Sequence, residues 1–192
     1  APSEPAEEVP HMALVFVPKE TEPGETRVAA APETVRAFVK HGLEVVIENG
    51  AGNDAGFTDE IFEAAGAKLG DAWGEADLVL TIRTPNAEQI GRLKEGALLA
   101  CSLQPTIQLD AVRALRDQKV TAFGLELMPR ITRAQKMDIL SSQATCSGYQ
   151  AVLLAASALP TMFPLLMTAA GTIKPARVFI LGAGVAGLQA IS

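Results

Sequence analysis

Short apolar runs alternate along this chain with segments in which apolar residues recur every three or four positions. Residues 13–18, 43–48, 78–83, 97–103 and 120–125 have the length and composition of strands buried on both faces. Between them, residues 32–41 set Val35, Phe38 and Val39 on one stripe, with Pro32 at the start and Gly42 just past the end, which predicts a helix. Thr58 is placed to cap a second helix, Phe57 and Phe62 to staple across that cap, and Asp59 and Glu60 to sit in its first turn. Residues 86–94 and 107–118 predict two more. Strands alternating with helices across short loops predict an α/β fold, doubly wound around a mainly parallel sheet, over residues 13–135. Such sheets bind ligands beyond the carboxyl ends of their strands. The loops after Val17, at residues 81–83, after Leu103 and at residues 125–128 are therefore expected on one rim.

The pattern changes after this block. Residues 136–159 predict a long helix that Pro160 ends, within a linking segment of residues 136–165. The stretch 139–173 carries no charged residue, but Pro160, Pro164, Gly148 and Gly171 interrupt it, and several serines, glutamines and threonines dilute it. A central buried helix followed by an irregular apolar crossing fits it better than a membrane span. From residue 166 a second doubly wound unit, Rossmann- or flavodoxin-like, is expected to begin, with a strand at residues 177–181 leading into a glycine-rich turn. Gly182, Gly184 and Gly187 complete a GxGxxG pattern. In that pattern the first glycine permits a tight turn, the second lets backbone approach a pyrophosphate and the third lets the helix pack on the strand. The acidic residue expected about 20 positions further on lies past Ser192, so this unit is expected to be truncated after its first strand and turn. A glycine-rich turn with a purely structural role gives the same letters.

Composition narrows the partners. A chain of 192 residues, 48% apolar and 20% charged, can build one large domain or two small ones. A net charge of -6, with aromatic residues at 5%, leaves no basic field for a nucleic-acid backbone. Cys101 and Cys146 lack metal-ligand spacing and only His11 and His41 could assist them, so reduced structural thiols, no metal and a cytosolic setting are expected. Residues 1–12, rich in Pro and Glu and ending His11-Met12, look like a tag or disordered leader. No Ser/His/Asp order or nucleophile elbow supports hydrolysis.

Two segments carry candidate chemistry. From Met128 to Gln143, two arginines, glutamine, aspartate and serine interleave with apolar residues. On a helix start, Gln135, Asp138, Ser141 and Ser142 would share one face, where they could hydrogen-bond an amide, a ribose or a phosphate. Alternatively, Thr132 caps the helix, Asp138 favours its first turn and the arginines are solvated. Asp138 in an otherwise uncharged stretch needs a partner, and Arg130 or Arg133 is available. The loop at residues 18–28 is long and rich in charge, and its Arg27 could bind a carboxylate or simply be solvated.

The motifs PKETEPGETRVAAAP (residues 18–32), ELMPRITRAQKMDILSSQ (126–143) and TAAGTIKPARVFILGAGVAGLQAI (168–191) together closely resemble the NAD(H)-binding component, the first domain of the alpha subunit, of proton-translocating NAD(P) transhydrogenase. The same two-domain fold is shared with alanine dehydrogenase. The resemblance implies an oxidoreductase that binds NAD(H) in a cleft between two domains and forms a homodimer. It also implies direct hydride transfer to NADP(H) held on a partner component, and membrane-spanning components that couple transfer to proton translocation. The location implied is cytoplasmic and peripheral to the inner (plasma) membrane. By resemblance, Arg130, Asp138 and Ser141 orient the nicotinamide and its carboxamide while Gln135 reaches toward the partner's NADP. Gly182, Gly184, Val185, Ala186 and Gly187 take the pyrophosphate end. An alanine dehydrogenase-like enzyme would match Arg27, but its lysine and histidine positions fall on Arg83 and Gln104, and glutamine supplies no proton to a 2-oxo acid. A chain ending within the nucleotide domain could also be a folding or dimerisation fragment that is inactive alone.

Overall fold

The computed structural model describes residues 12–192. The expectation for residues 1–12 therefore lies, apart from Met12, outside the described residues. The chain forms two compact units that divide between Leu127 and Met128, eight residues earlier than the strand pattern placed the end of the first domain.

The first unit is built on β1 (Leu14–Val17), α1 (Pro32–Lys40), β2 (Glu44–Ile47), α2 (Asp59–Ala64), β3 (Lys68–Leu69), β4 (Leu78–Leu80), α3 (Ala87–Arg92), β5 (Leu98–Cys101), α4 (Leu109–Asp117) and β6 (Thr121–Gly124). Its six strands are all parallel in the order β3-β2-β1-β4-β5-β6. Successive residues of β1 point to opposite faces, as the two-residue period of a strand requires. Val15 and Val17 join Val35, Val45, Ile47 and Phe62 on one face; Phe16 joins Trp73, Val79, Ile90, Leu99 and Leu115 on the other. The chain thus buries both faces of one sheet, which is why these strands read as continuous apolar runs.

Local signals account for most boundaries. Pro32 opens α1 and Gly42, at φ 79°, follows its cap residue His41. Phe57 and Phe62 meet edge to face with ring centroids 6.1 Å apart, so the staple forms. Thr58 makes no side-chain cap bond; Asp59 instead accepts the Gly50 N–H at 2.8 Å and ties the helix start to the preceding turn. Asn86 and Gln89 form a reciprocal capping box at α3. Two features differ from the pattern. The two-residue β3 carries too few apolar positions to be read as a strand, and only pairing with β2 defines it. β6, expected to be buried on both faces, lies at the sheet edge and leaves Phe123 exposed.

The second unit contains α5 (Ile139–Ala158), the antiparallel hairpin of β7 (Leu166–Thr168) and β8 (Gly171–Ile173), and α6 (Val185–Ile191). The helix expected from residue 136 begins at Ile139, because Thr132–Met137 forms a tighter 3-10 segment and Asp138 leaves helical geometry at φ -77°, ψ 90°. Residues 177–181 pair into no sheet among the described residues, since a strand exists only through a ladder partner. The expectation of a buried α5 is corrected. Gly148 is its one buried residue, while Tyr149, Leu153 and Leu154 are exposed. Among the described residues, no helix is long and apolar enough to cross a membrane.

Candidate functional site

The polar segment that opens the second unit folds into a compact cap. Asp138 is the N-cap of α5, and its Oδ1 accepts the Ser141 backbone N–H at 2.9 Å while its Oδ2 accepts the Ser141 hydroxyl at 2.7 Å. These bonds hold the Asp138 carboxyl below the usual carboxylate range, with Arg130 adding a weaker pull. Arg130 Nη2 donates to Ser141 Oγ at 3.3 Å, and its Nε stands 3.8 Å from Asp138 Oδ2. Arg130 is therefore the cation beside Asp138. Its side chain is 68% exposed and that of Asp138 is 18% exposed, so the pair keeps an open side.

Gln135, on the 3-10 segment, lines a shallow hollow with Pro129, Arg130, Ile131, Thr132 and Asp138. Arg130, Gln135, Asp138 and Ser141 are thus brought together, but by a cap joining two helical segments rather than by the face of one helix. The cap at α5 belongs to Asp138, and Thr132 caps neither segment. Ser142, expected on the same face, turns back to the carbonyl oxygens of Asp138 and Ile139.

The glycine turn shows a division of labour. Gly182 adopts φ 101°, a conformation that side chains oppose. A Cβ on Gly187 would lie 2.1 Å from the Gly182 carbonyl oxygen, so only glycine allows the turn to close. A Cβ on Gly184, the N-cap of α6, would meet nothing within 4 Å; the space over that backbone is open. Val185 and Ala186 follow as the first residues of α6. Gly148, read in the sequence only as a weak point in a helix, proves to be a crossing: a Cβ there would lie 2.2 Å from the Ala186 carbonyl oxygen. The crossing falls roughly 15 Å along α5 from Asp138, at 1.5 Å per helical residue. A glycine inside a long helical pattern was the available signal.

In the first unit, the loop after β1 folds onto the loop after β4. Glu25, its side chain 4% exposed, accepts Arg27 Nε at 2.6 Å and Nη2 at 2.5 Å, and Arg83 Nε at 2.8 Å. The Arg27 bonds, with help from Arg83, hold the Glu25 carboxyl down to about 2. Cys101 is buried, and burial pushes its thiol up to about 12, with the Glu126 carboxylate adding to the effect. Cys146 is free and exposed on α5, in contrast to the structural thiol expected there. Among the described residues, no three His, Cys, Asp or Glu side chains are placed to hold a metal ion.

Residues 16–147 match the family described as Alanine dehydrogenase/PNT, N-terminal domain, and residues 151–192 match Alanine dehydrogenase/PNT, C-terminal domain. The chain belongs to the alanine dehydrogenase/PNT family. Within the family it is similar to an NAD(P) transhydrogenase subunit alpha chain of Rhodospirillum rubrum, 46% identical over 187 residues that cover 93% of this chain and 49% of that protein. A solved transhydrogenase from Sinorhizobium meliloti superposes with a TM-score of 0.91 at 46% identity, covering 93% of this chain and 54% of that one. A solved L-alanine dehydrogenase gives a TM-score of 0.82 at 28% identity, covering 93% and 50%. The chain spans about half the length of these relatives.

Proposed function

We propose that this chain belongs to the NAD(H)-binding component of an NAD(P) transhydrogenase. In this reading the component binds NADH and presents it for direct hydride transfer to NADP+ on a partner component, with proton translocation through membrane-spanning components. The observation that carries it is the pairing, within one unit, of an open glycine turn with a polar cap along the same helix. The space over Gly184 admits a pyrophosphate, and the Arg130–Asp138–Ser141 cap offers fixed donors and acceptors for an amide. Only an extended ligand reaches both, as a dinucleotide does. NADH, when bound, supplies the hydride. Arg130, Asp138 and Ser141 hold the nicotinamide in orientation, Gln135 faces the partner's NADP, and Gly182, Gly184, Val185, Ala186 and Gly187 receive the pyrophosphate. No proton donor is required, since positioning alone can lower the barrier by several kcal/mol.

The second reading, an alanine dehydrogenase-like enzyme, rests on the two arginines of the first unit. Glu25 already engages both of them, and Gln104 cannot protonate a 2-oxo acid. A homodimer is included in the proposal: α5 exposes Tyr149, Leu153 and Leu154, an apolar surface of the kind buried between subunits. The test is Asp138→Asn in the full-length protein. NADH affinity by calorimetry should change less than about threefold, while hydride transfer should slow by roughly tenfold or more. Equal losses of binding and transfer would remove the orienting role.

A further inference from the structure

The first unit has its own topological switch point, between β1 and β4, where the connections leave to opposite sides and an open α/β sheet ordinarily receives an anionic ligand. That position is filled by the chain itself. Glu20 lies three residues beyond β1, and its Oε1 accepts the Ile82 backbone N–H at 2.6 Å while its Oε2 accepts the Arg83 N–H at 3.2 Å, just beyond β4. Two consecutive amides directed at the oxygens of one anion form the arrangement by which backbone cradles hold phosphate. The hollow beside them is polar and carries Lys19, Thr21, Arg83, Thr84, Asn86 and Gln89. Burial raises the Glu20 carboxyl above its ordinary value, so its charge is held there against a solvation cost. The device recurs on the neighbouring strands. Glu126, after β6, accepts the consecutive N–H groups of Leu103 and Gln104, after β5, at 3.0 and 2.6 Å.

We infer that Glu20 is an internal substitute for a bound oxoanion at the β1/β4 switch point, and that removing its carboxylate uncovers a phosphate-binding site. Glu20 is thereby a specificity residue that closes the first sheet to phosphate-bearing ligands. The inference concerns only the first unit and stands or falls separately from the proposed function.

The test follows the amides of Ile82 and Arg83 by 15N-resolved NMR while inorganic phosphate is added to the chain, against sodium chloride at matched ionic strength. In the unaltered chain these two amides should move no more than in chloride. In Glu20→Ala they should shift saturably with millimolar phosphate, while fluorescence of the buried Trp73 stays that of the parent. Should Glu20→Ala fail to fold, Glu20→Gln is scored in the same way. It keeps the size of the side chain and turns an amide donor toward one of the two N–H groups, which frees that N–H for phosphate. Saturable shifts in the unaltered chain would show that the site was open all along. A folded variant with no phosphate-dependent shift would show that the amides form no anion site. Either result overturns the inference.

Discussion

The two units use the same chemistry, an arginine beside a carboxylate with backbone amides nearby, to opposite ends. At the rim of the first sheet, Glu25 is almost wholly covered and takes two guanidinium groups, while Glu20 and Glu126 consume consecutive backbone N–H groups of adjacent loops. Each of these donors is matched by an internal acceptor, and the result is a tied surface over a two-faced core. At the start of the second unit, Asp138 satisfies one amide and one hydroxyl, but Arg130 stays largely exposed beside a hollow, and the space over Gly184 is open. A polar cluster is thus a structural latch when its donors are all matched from within, and a candidate site when some of them face open space.

That contrast can be broken at three places. The largest effect is expected in the core of the first unit. Phe62→Ala empties a fully buried ring from the face that holds Val35 and Ile47, and should cost about 3–5 kcal/mol in denaturant unfolding followed by Trp73 fluorescence. A loss under about 1 kcal/mol would mean that the face repacks freely.

Gly148→Ala comes next. It drives a methyl group into the Ala186 carbonyl and should destabilise the α5–α6 crossing by about 1–3 kcal/mol. Hydrogen exchange in Val185–Ile191 should accelerate while the Trp73 transition keeps its midpoint. A shift of that midpoint instead would show that the two units unfold together.

The smallest effect is at the rim. The Glu25 carboxyl is depressed in the folded chain, so its contribution is fully present above its ordinary value near 4.5 and fades as pH falls toward about 2. With its arginine partners about half exposed, screening limits the loss in Glu25→Gln to on the order of 1–2 kcal/mol at neutral pH. Melting temperatures of parent and variant should differ most above pH 5 and converge by pH 2. A gap independent of pH would assign the stability to packing rather than charge.

Much of this molecule is legible in its sequence. Apolar runs mark β1, β2, β4, β5 and β6; Pro32, Gly42, Asn86 and the Phe57–Phe62 pair mark helix ends; and the motifs at residues 18–32, 126–143 and 168–191 carry the family. These signals are local. Strand period, cap chemistry and glycine spacing act within a few residues, so the chain states them in order. Residues whose role depends on a distant partner are not legible in this way. Glu20 and Ile82 stand 62 positions apart, Glu126 and Leu103 stand 23 apart, and nothing about a glutamate in a charged loop says which amides it will meet. Gly148 has the look of a flaw until Ala186 is laid against it. Asp138 can be recognised as exceptional, yet its place as a cap between two helical segments depends on backbone angles that several neighbours set together. Sequence determined the elements, the sheet class and the family, because those follow from local periodicity and motif. Tertiary structure alone decided which polar groups are matched and which are left open, because hydrogen bonding between distant segments is settled only when the fold brings donor and acceptor within about 3 Å of each other.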